Sequence, residues 1–250
     1  MHKDPRQIAG AALVVGLSVA GWALLTWMSL DMGDPMVQLA MPAGPDWSSM
    51  NVAALFGMWA IMMAAMMLPS ALPMVLTFVR LNVLQGEPGR ARAFVAAYLL
   101  VWSTYAGLAT ALQWVLQSLN WVDPMIVSTS MALNVGLLLI AGAYQFSPLK
   151  RVCLAQCRSP LGFLLADWKP RAGGAFAMGL RHGASCTGCC WALMLLAFVG
   201  GVMNIAWIAA LSLAVAIEKL APRGELLGKL LGLVLIAVGV SKIGMFVSAG

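Results

Sequence analysis

Long apolar runs separated by short polar connectors set the rhythm of this chain. The first run covers residues 8–30. The second covers 51–79 and contains Pro69 and Pro73. Further runs lie at 93–119, 125–147, within 173–201, at 203–218 and at 230–248. Most approach or exceed the roughly 20 residues that a helix needs to cross a bilayer core. The runs are continuous, without the period-two alternation of a membrane β-barrel strand. The pattern predicts an all-α, polytopic transmembrane bundle of about seven spans, or six if the segments after 173 join differently. The whole of 1–250 reads as one integral membrane domain.

The connectors differ in charge. Those at 31–50, 120–124 and about 200–204 hold no Lys or Arg. The others carry Arg80, Glu87, Arg90 and Arg92, then Lys150, Arg151, Arg158, Lys169 and Arg171, then Lys219, Arg223 and Lys229, while Lys3 and Arg6 precede the first run. Fourteen of the 15 basic residues fall on or near these connectors, counting Arg181 just before the membrane part of the fifth run, which is expected to start near His182; Lys242, inside the last run, is the exception. By the positive-inside rule the basic side is cytoplasmic, and so is the N-terminus. The first run is too long for a secretory h-region and no clear cleavage site follows it, so it reads as a first span.

Composition agrees. The chain is 62% hydrophobic and 10% charged, with mean hydropathy +0.89, against about 25% charged in soluble domains. The net charge of +6 does not point to nucleic acid, because its basic residues sit in connectors and form no basic helix. The sequence has no Walker A motif, dinucleotide fingerprint, nucleophile elbow or Asp-Lys-Thr-Gly phosphorylation loop. A non-enzymatic protein is expected, and one that is not itself an ATP-driven pump.

All five cysteines fall in two groups: Cys153-Leu-Ala-Gln-Cys157, and Cys186-Thr-Gly-Cys189-Cys190 preceded by His182. On a helix at 100° per residue, His182, Cys186, Cys189 and Cys190 share a face about 100° wide. Cys153 and Cys157 share one as well. If the faces meet, up to five sulfurs and an imidazole converge. Such a set suits Cu(I), with Zn(II) or an iron–sulfur cluster as alternatives. Both groups are expected toward the cytoplasmic ends of their helices, where thiols stay reduced. Arg181, Lys150 and Arg151 are the positive neighbours expected to favour thiolates. The alternative is that the cysteines pack as small apolar fillers.

Methionines extend the soft-ligand theme. Met58, Met62, Met63, Met66 and Met67 stripe the second run, and Met28, Met32, Met36, Met41 and Met50 surround the first uncharged connector. Thioethers suit Cu(I) and need no deprotonation. Together with the cysteines they would make an inward path from thioether to thiolate; the competing role is flexible core packing. Glu218 and Lys219, Asn134 and Lys242 are polar residues in apolar context, which mark functional sites in membranes. The two prolines are expected to interrupt their helix and free carbonyls. Trp47, Trp102, Trp121 and Trp168 fit interfacial belts.

These blocks carry a resemblance. Met58-Trp-Ala-Ile-Met-Met-Ala-Ala-Met-Met-Leu-Pro69 with Pro73, Tyr144-Gln-Phe-Ser-Pro-Leu-Lys150 leading to Cys153 and Cys157-Arg-Ser-Pro160, Gly183 to Cys186-Thr-Gly-Cys-Cys-Trp-Ala-Leu-Met194, and Glu218-Lys219 together resemble a bacterial family labelled "predicted metal-binding integral membrane protein". The likeness covers about 50–230. It implies a multi-pass protein of the bacterial inner membrane whose signature is these blocks. A looser similarity to small mercury-uptake membrane proteins is confined to the pairing of thiols.

Three functions follow. The first is soft-metal binding, Cu(I) favoured, for transport or delivery. Its partners are the lipid bilayer, the metal ion and a metallochaperone or metalloenzyme complex. The second is a membrane thiol–disulfide oxidoreductase using Cys186-Thr-Gly-Cys189. The third is a structural or assembly subunit of a membrane complex.

Overall fold

Eleven helices make up the regular structure of the described residues. They are α1 (Pro5–Leu30), α2 (Pro35–Leu39), α3 (Ser49–Val83), α4 (Arg90–Ser118), α5 (Met131–Tyr144), α6 (Pro148–Arg158), α7 (Pro160–Ala166), α8 (Arg171–Met194), α9 (Ala197–Gly200), α10 (Ile205–Leu220) and α11 (Gly224–Ala249). The computed structural model describes residues 5–83, 90–166 and 168–249, with side chains over 10–82, 90–166 and 168–244. Lys3, Glu87 and the side chain of Arg6 lie outside the described residues. The all-α bundle is as expected.

Five segments are long and apolar enough to cross a membrane: Gly10–Leu30, Ser49–Asn82, Arg90–Ser118, Arg171–Gly200 and Gly224–Gly244. A sixth is added if α5 and α6, bent by 64° where they meet, count as one span. The expected seven are reduced for a geometric reason. The 16 residues of α10 rise only about 24 Å, short of the roughly 30 Å core. The 14 residues of α5 rise still less.

Among the described residues, α1, α3, α4, α5, α8, α10 and α11 alternate in direction along the bundle, whatever their length. Gly10 lies against Val79 and Gly21 against Ala65, so α1 and α3 are antiparallel. Phe78 stacks on Phe94 and Trp59 bonds Gln113, so α4 reverses α3. Phe94 meets Gly179 and Tyr105 bonds the carbonyl of Trp191, which makes α8 parallel to α4. Tyr144 meets Gly188 while Ser128 bonds Phe198, so α5 returns. Ser212 reaches Met66 and Lys219 reaches Ser70, so α10 runs with α3. Finally Gly142 meets Gly232 and Gly239 meets Leu139, which sets α11 against α5. This path gathers Arg80, Arg90, Lys150, Arg158, Lys169, Arg171 and Arg223 at one end. The segments 31–48, 119–130 and 201–204, free of Lys and Arg, lie at the other.

Two boundaries differ from expectation. The fourth run was expected to be helical from 125, but α5 begins at 131. Asn120 and Ile126 adopt φ of 57° and 63°, and Asp123 accepts the N–H of Val127 at 2.8 Å, which closes a turn instead. Ser130 then caps α5 through the N–H of Leu133. The second run was expected to break at its prolines. Instead α3 continues through Pro69 and Pro73 for 35 residues, and neighbouring groups bond the backbone nearby. Met67 O accepts from Tyr98 Oη at 3.3 Å, and Met66 O from Ser212 Oγ at 3.4 Å.

Glycines allow the central helices to approach closely. A Cβ at Gly179 would lie 2.3 Å from the Phe94 carbonyl oxygen, and one at Gly183 would lie 2.9 Å from Val101. This small-xxx-small pair on α8 is the device by which membrane helices bring backbones together. Trp102 is not interfacial as expected. It is 1% exposed and packs edge-on against Tyr105.

Candidate metal centre

α8 carries three of the cysteines on the buried face that the spacing predicted. Cys186, Cys189 and Cys190 are each 1% exposed. α6, turned back by its bend from α5, lies along α8 and brings the second group to the first. Cys157 comes within hydrogen-bonding reach of the thiols of Cys186 and Cys189. Cys153 sits over Gly188, where an added Cβ would be 2.7 Å from its sulfur. All five cysteines are free thiols. Cys189 and Cys190 turn their sulfurs back to donate to the Cys186 carbonyl, at 3.0 and 3.1 Å.

Lys219 is a principal charged neighbour of the cluster, and sequence reasoning did not bring it there. Its Nζ donates to Cys186 Sγ at 3.0 Å and to Ser70 Oγ at 3.2 Å, and lies 3.8 Å from Met67 Sδ. The expected positive neighbours are engaged elsewhere. Lys150 pairs with Glu218 at 2.6 Å, Arg181 lies over the Phe163 ring, and Arg151 is exposed. Tyr98 Oη adds a second contact to Cys186 Sγ at 3.1 Å. The cluster is walled by α3, α4, α6, α8 and α10.

Glu218 and Lys219, adjacent in sequence, diverge. Glu218 faces α6, and Arg158 on that helix donates to its backbone carbonyl at 2.6 Å and to that of Pro222 at 2.9 Å. Lys219 faces the thiols. Thus α6 supplies both a cysteine and the clamp on the helix that bears the ammonium. Glu218 Oε1 and both amide atoms of Gln145 are buried without hydrogen-bond partners. They lie together, 3.1 and 3.3 Å from where a Cβ on Gly228 would stand.

His182 lies one turn before Cys186 but is enclosed by rings. It stacks on Phe94 and Tyr98, with Phe163 tilted over it. It is 2% exposed, and neither ring nitrogen has a hydrogen-bond partner. Met62, Met63, Met66 and Met67 are all buried in the core, and of these Met67 is the one whose sulfur reaches Lys219. The outer methionines do not share one environment: Met28 is buried, whereas Met36 and Met50 are 68% and 61% exposed.

The expectation that the cysteines sit at the ends of their helices needs revision. Cys186 is 15 residues beyond Arg171, about 22 Å along α8, and faces the middle of α3. A cavity of about 320 Å³ lined by Gln156, Ser159, Phe163 and Arg181 lies toward the basic end. Ser185, next to Cys186 in sequence, donates its Oγ to Oε1 of the cavity-lining Gln156 at 2.5 Å. Among the described residues, no group of three or more His, Cys, Asp or Glu stands in positions that could hold a metal ion without side-chain movement.

Sequence reasoning also passed over Tyr98, Ser70 and the glycines of α8. Gly179-Leu-Arg-His-Gly183 carried a readable signal. Tyr98 and Ser70 carried none, because their roles depend on which helices α8 touches.

The fold and its thiol cluster define a multi-helix protein with a soft-ligand interior. The chain belongs to the PpoB2 family, described as a copper chaperone, which matches residues 56–242. That match takes in the whole of α4, α6, α8 and α10 and the part of α3 that lines the thiol cluster. The family is one of copper handling, a non-enzymatic role. Neither the curated proteins nor the solved structures include a match to this chain.

Proposed function

We propose that this protein is a bacterial inner-membrane copper carrier. It holds Cu(I) at its buried thiol cluster and passes it across the membrane or to a metalloenzyme under assembly. The observation that carries the reading is the convergence of Cys157 from α6 with Cys186, Cys189 and Cys190 from α8 in a closed core. Thiolates and thioethers prefer Cu(I) to harder ions, and Cu(I) is satisfied by few donors. Rotation of Cys189 and Cys190 by one staggered step would release their sulfurs from the Cys186 carbonyl. Met67 and His182 flank the cluster as further soft ligands, with Cys153 at its edge. Met62, Met63 and Met66 extend soft donors away from it along α3.

With the basic end cytoplasmic, the cavity beside Gln156 and Phe163 opens on the cytoplasmic side. The Gln156–Ser185 hydrogen bond then lies across the way to Cys157 and Cys186, each the next residue in sequence. The bilayer and a partner metalloprotein complete the assembly.

Copper bound to anaerobically purified, reduced protein tests this. One Cu(I) per chain with a sulfur-dominated X-ray absorption spectrum is expected. Its loss is expected in Cys157→Ser and in Cys186→Ser/Cys189→Ser/Cys190→Ser. Wild-type protein that takes up no stoichiometric copper refutes the proposal. A thiol–disulfide role is favoured instead if Cys189 is labelled from the outer face in intact cells.

A further inference from the structure

Lys219 is a charged group sealed inside a copper-family core, and its ammonium is seated directly on a sulfur of the cluster. Buried cations of this kind are costly unless paired. Its sequence neighbour Glu218 does not neutralise it, because that carboxylate is engaged by Lys150 on the other side of α10. The partners of Lys219 are instead Cys186 Sγ, Ser70 Oγ and Met67 Sδ. Arg158 pins the end of α10 through the carbonyls of Glu218 and Pro222, so the ammonium is held in place.

We infer that Lys219 sets the charge selectivity of the thiol cluster, admitting a monovalent soft ion and disfavouring divalent thiophilic ions. This rests on the copper-binding reading above and names the ion class of the same site. Two thiolates and one ammonium carry a net charge of −1, which a monovalent ion neutralises. A divalent ion leaves an excess positive charge in the core and meets twice the repulsion from the fixed ammonium. At about 4–5 Å and an effective dielectric of about 20, that extra unit of repulsion corresponds to roughly 300- to 1,000-fold weaker binding. Geometry acts in the same sense. Divalent zinc and cadmium seek about four donors in a tetrahedron, yet Lys219 and Tyr98 already occupy two sides of Cys186 Sγ.

The test compares Cu(I) and Cd(II) binding by competition titration of reduced protein in detergent. It uses wild type, Lys219→Met and Lys219→Arg. Thiolate-to-cadmium charge-transfer absorption reports where Cd(II) goes. Lys219→Met is expected to shift the Cu(I)/Cd(II) preference by roughly several hundredfold toward Cd(II), with new charge-transfer absorption. Lys219→Arg should keep the wild-type preference. Lys219→Met that binds Cu(I) with unchanged preference overturns the inference while leaving the copper site standing. If Lys219→Met does not fold, wild type decides: tight Cd(II) binding at the thiols overturns the inference, and Cd(II) exclusion alongside Cu(I) binding supports it. Wild type that binds neither ion removes the copper reading and this inference together.

Discussion

Replacing Lys150 by methionine leaves the Glu218 carboxylate in the core without its partner. The pair is 2.6 Å long, with side-chain exposures of 4% and 3%. Water therefore cannot take over, and Glu218 Oε1 already lacks a hydrogen bond. Breaking a buried pair by removing one member costs about 3–5 kcal/mol, because an uncompensated charge stays behind. For a chain of this size 1 kcal/mol corresponds to roughly 2–4 °C, so Lys150→Met and Glu218→Gln should each melt about 6–20 °C lower. Removing both charges should recover most of that loss, because the desolvation cost disappears with the pair. Thermal unfolding of the four proteins in one detergent, read by tryptophan fluorescence, completes the double-mutant cycle. The pair also ties α6 to α10, so each single variant should bind less Cu(I) even where it folds. Single variants within about 1 kcal/mol of wild type, or a double variant as unstable as the summed singles, would refute the reasoning.

Gly179→Val forces a Cβ to 2.3 Å from the Phe94 carbonyl oxygen, so α4 and α8 must part. A loss of about 1–3 kcal/mol or more is expected, with weakened copper uptake as Tyr98 leaves Cys186. Trp59→Phe strips Gln113 of the 2.8 Å bond to its Oε1 while its Nε2 already lacks a partner. A cost of about 1–3 kcal/mol follows, and Gln113→Leu in the same background should recover part of it. Under native conditions a maleimide should label Cys153, on the rim, well before Cys186, Cys189 and Cys190. Mass spectrometry of timed digests checks the order, and equal rates at all five would contradict the burial described. Gln156→Ala removes the bond to Ser185 and should speed copper loading without altering stoichiometry, as stopped-flow competition with a chromogenic chelator would show.

The helical class was legible because helices long and apolar enough to cross a membrane announce themselves by length and apolarity alone. Residues such as Leu13, Val15 and Val19 of α1 are apolar yet exposed on the protein surface, so the helix carries no amphipathic pattern. That same uniformity hid the boundaries. The apolar Met125-Ile126-Val127 masked the turn at Ile126, although Ser128-Thr129-Ser130 ahead of Met131 is a helix-start signal, and the prolines of α3 read as a break although the helix passes through them. The cysteine face of α8 followed from the spacing of 182, 186, 189 and 190, since 3.6 residues per turn is a local property.

What the sequence determined by itself was therefore local: the helices, the charge asymmetry of the connectors, and two thiol faces of i, i+3 and i, i+4 spacing. Tertiary structure decided what those faces meet. The 64° bend before α6 lays Cys157 onto Cys186 and Cys189. The glycines of α8 bring Tyr98 within reach, and the clamp of Glu218 on α6 leaves Lys219 directed at the cluster. A neighbouring Glu and Lys look like a pair in sequence. In the fold they are about 100° apart around α10, and that rotation sends the carboxylate to Lys150 and the ammonium to the sulfur.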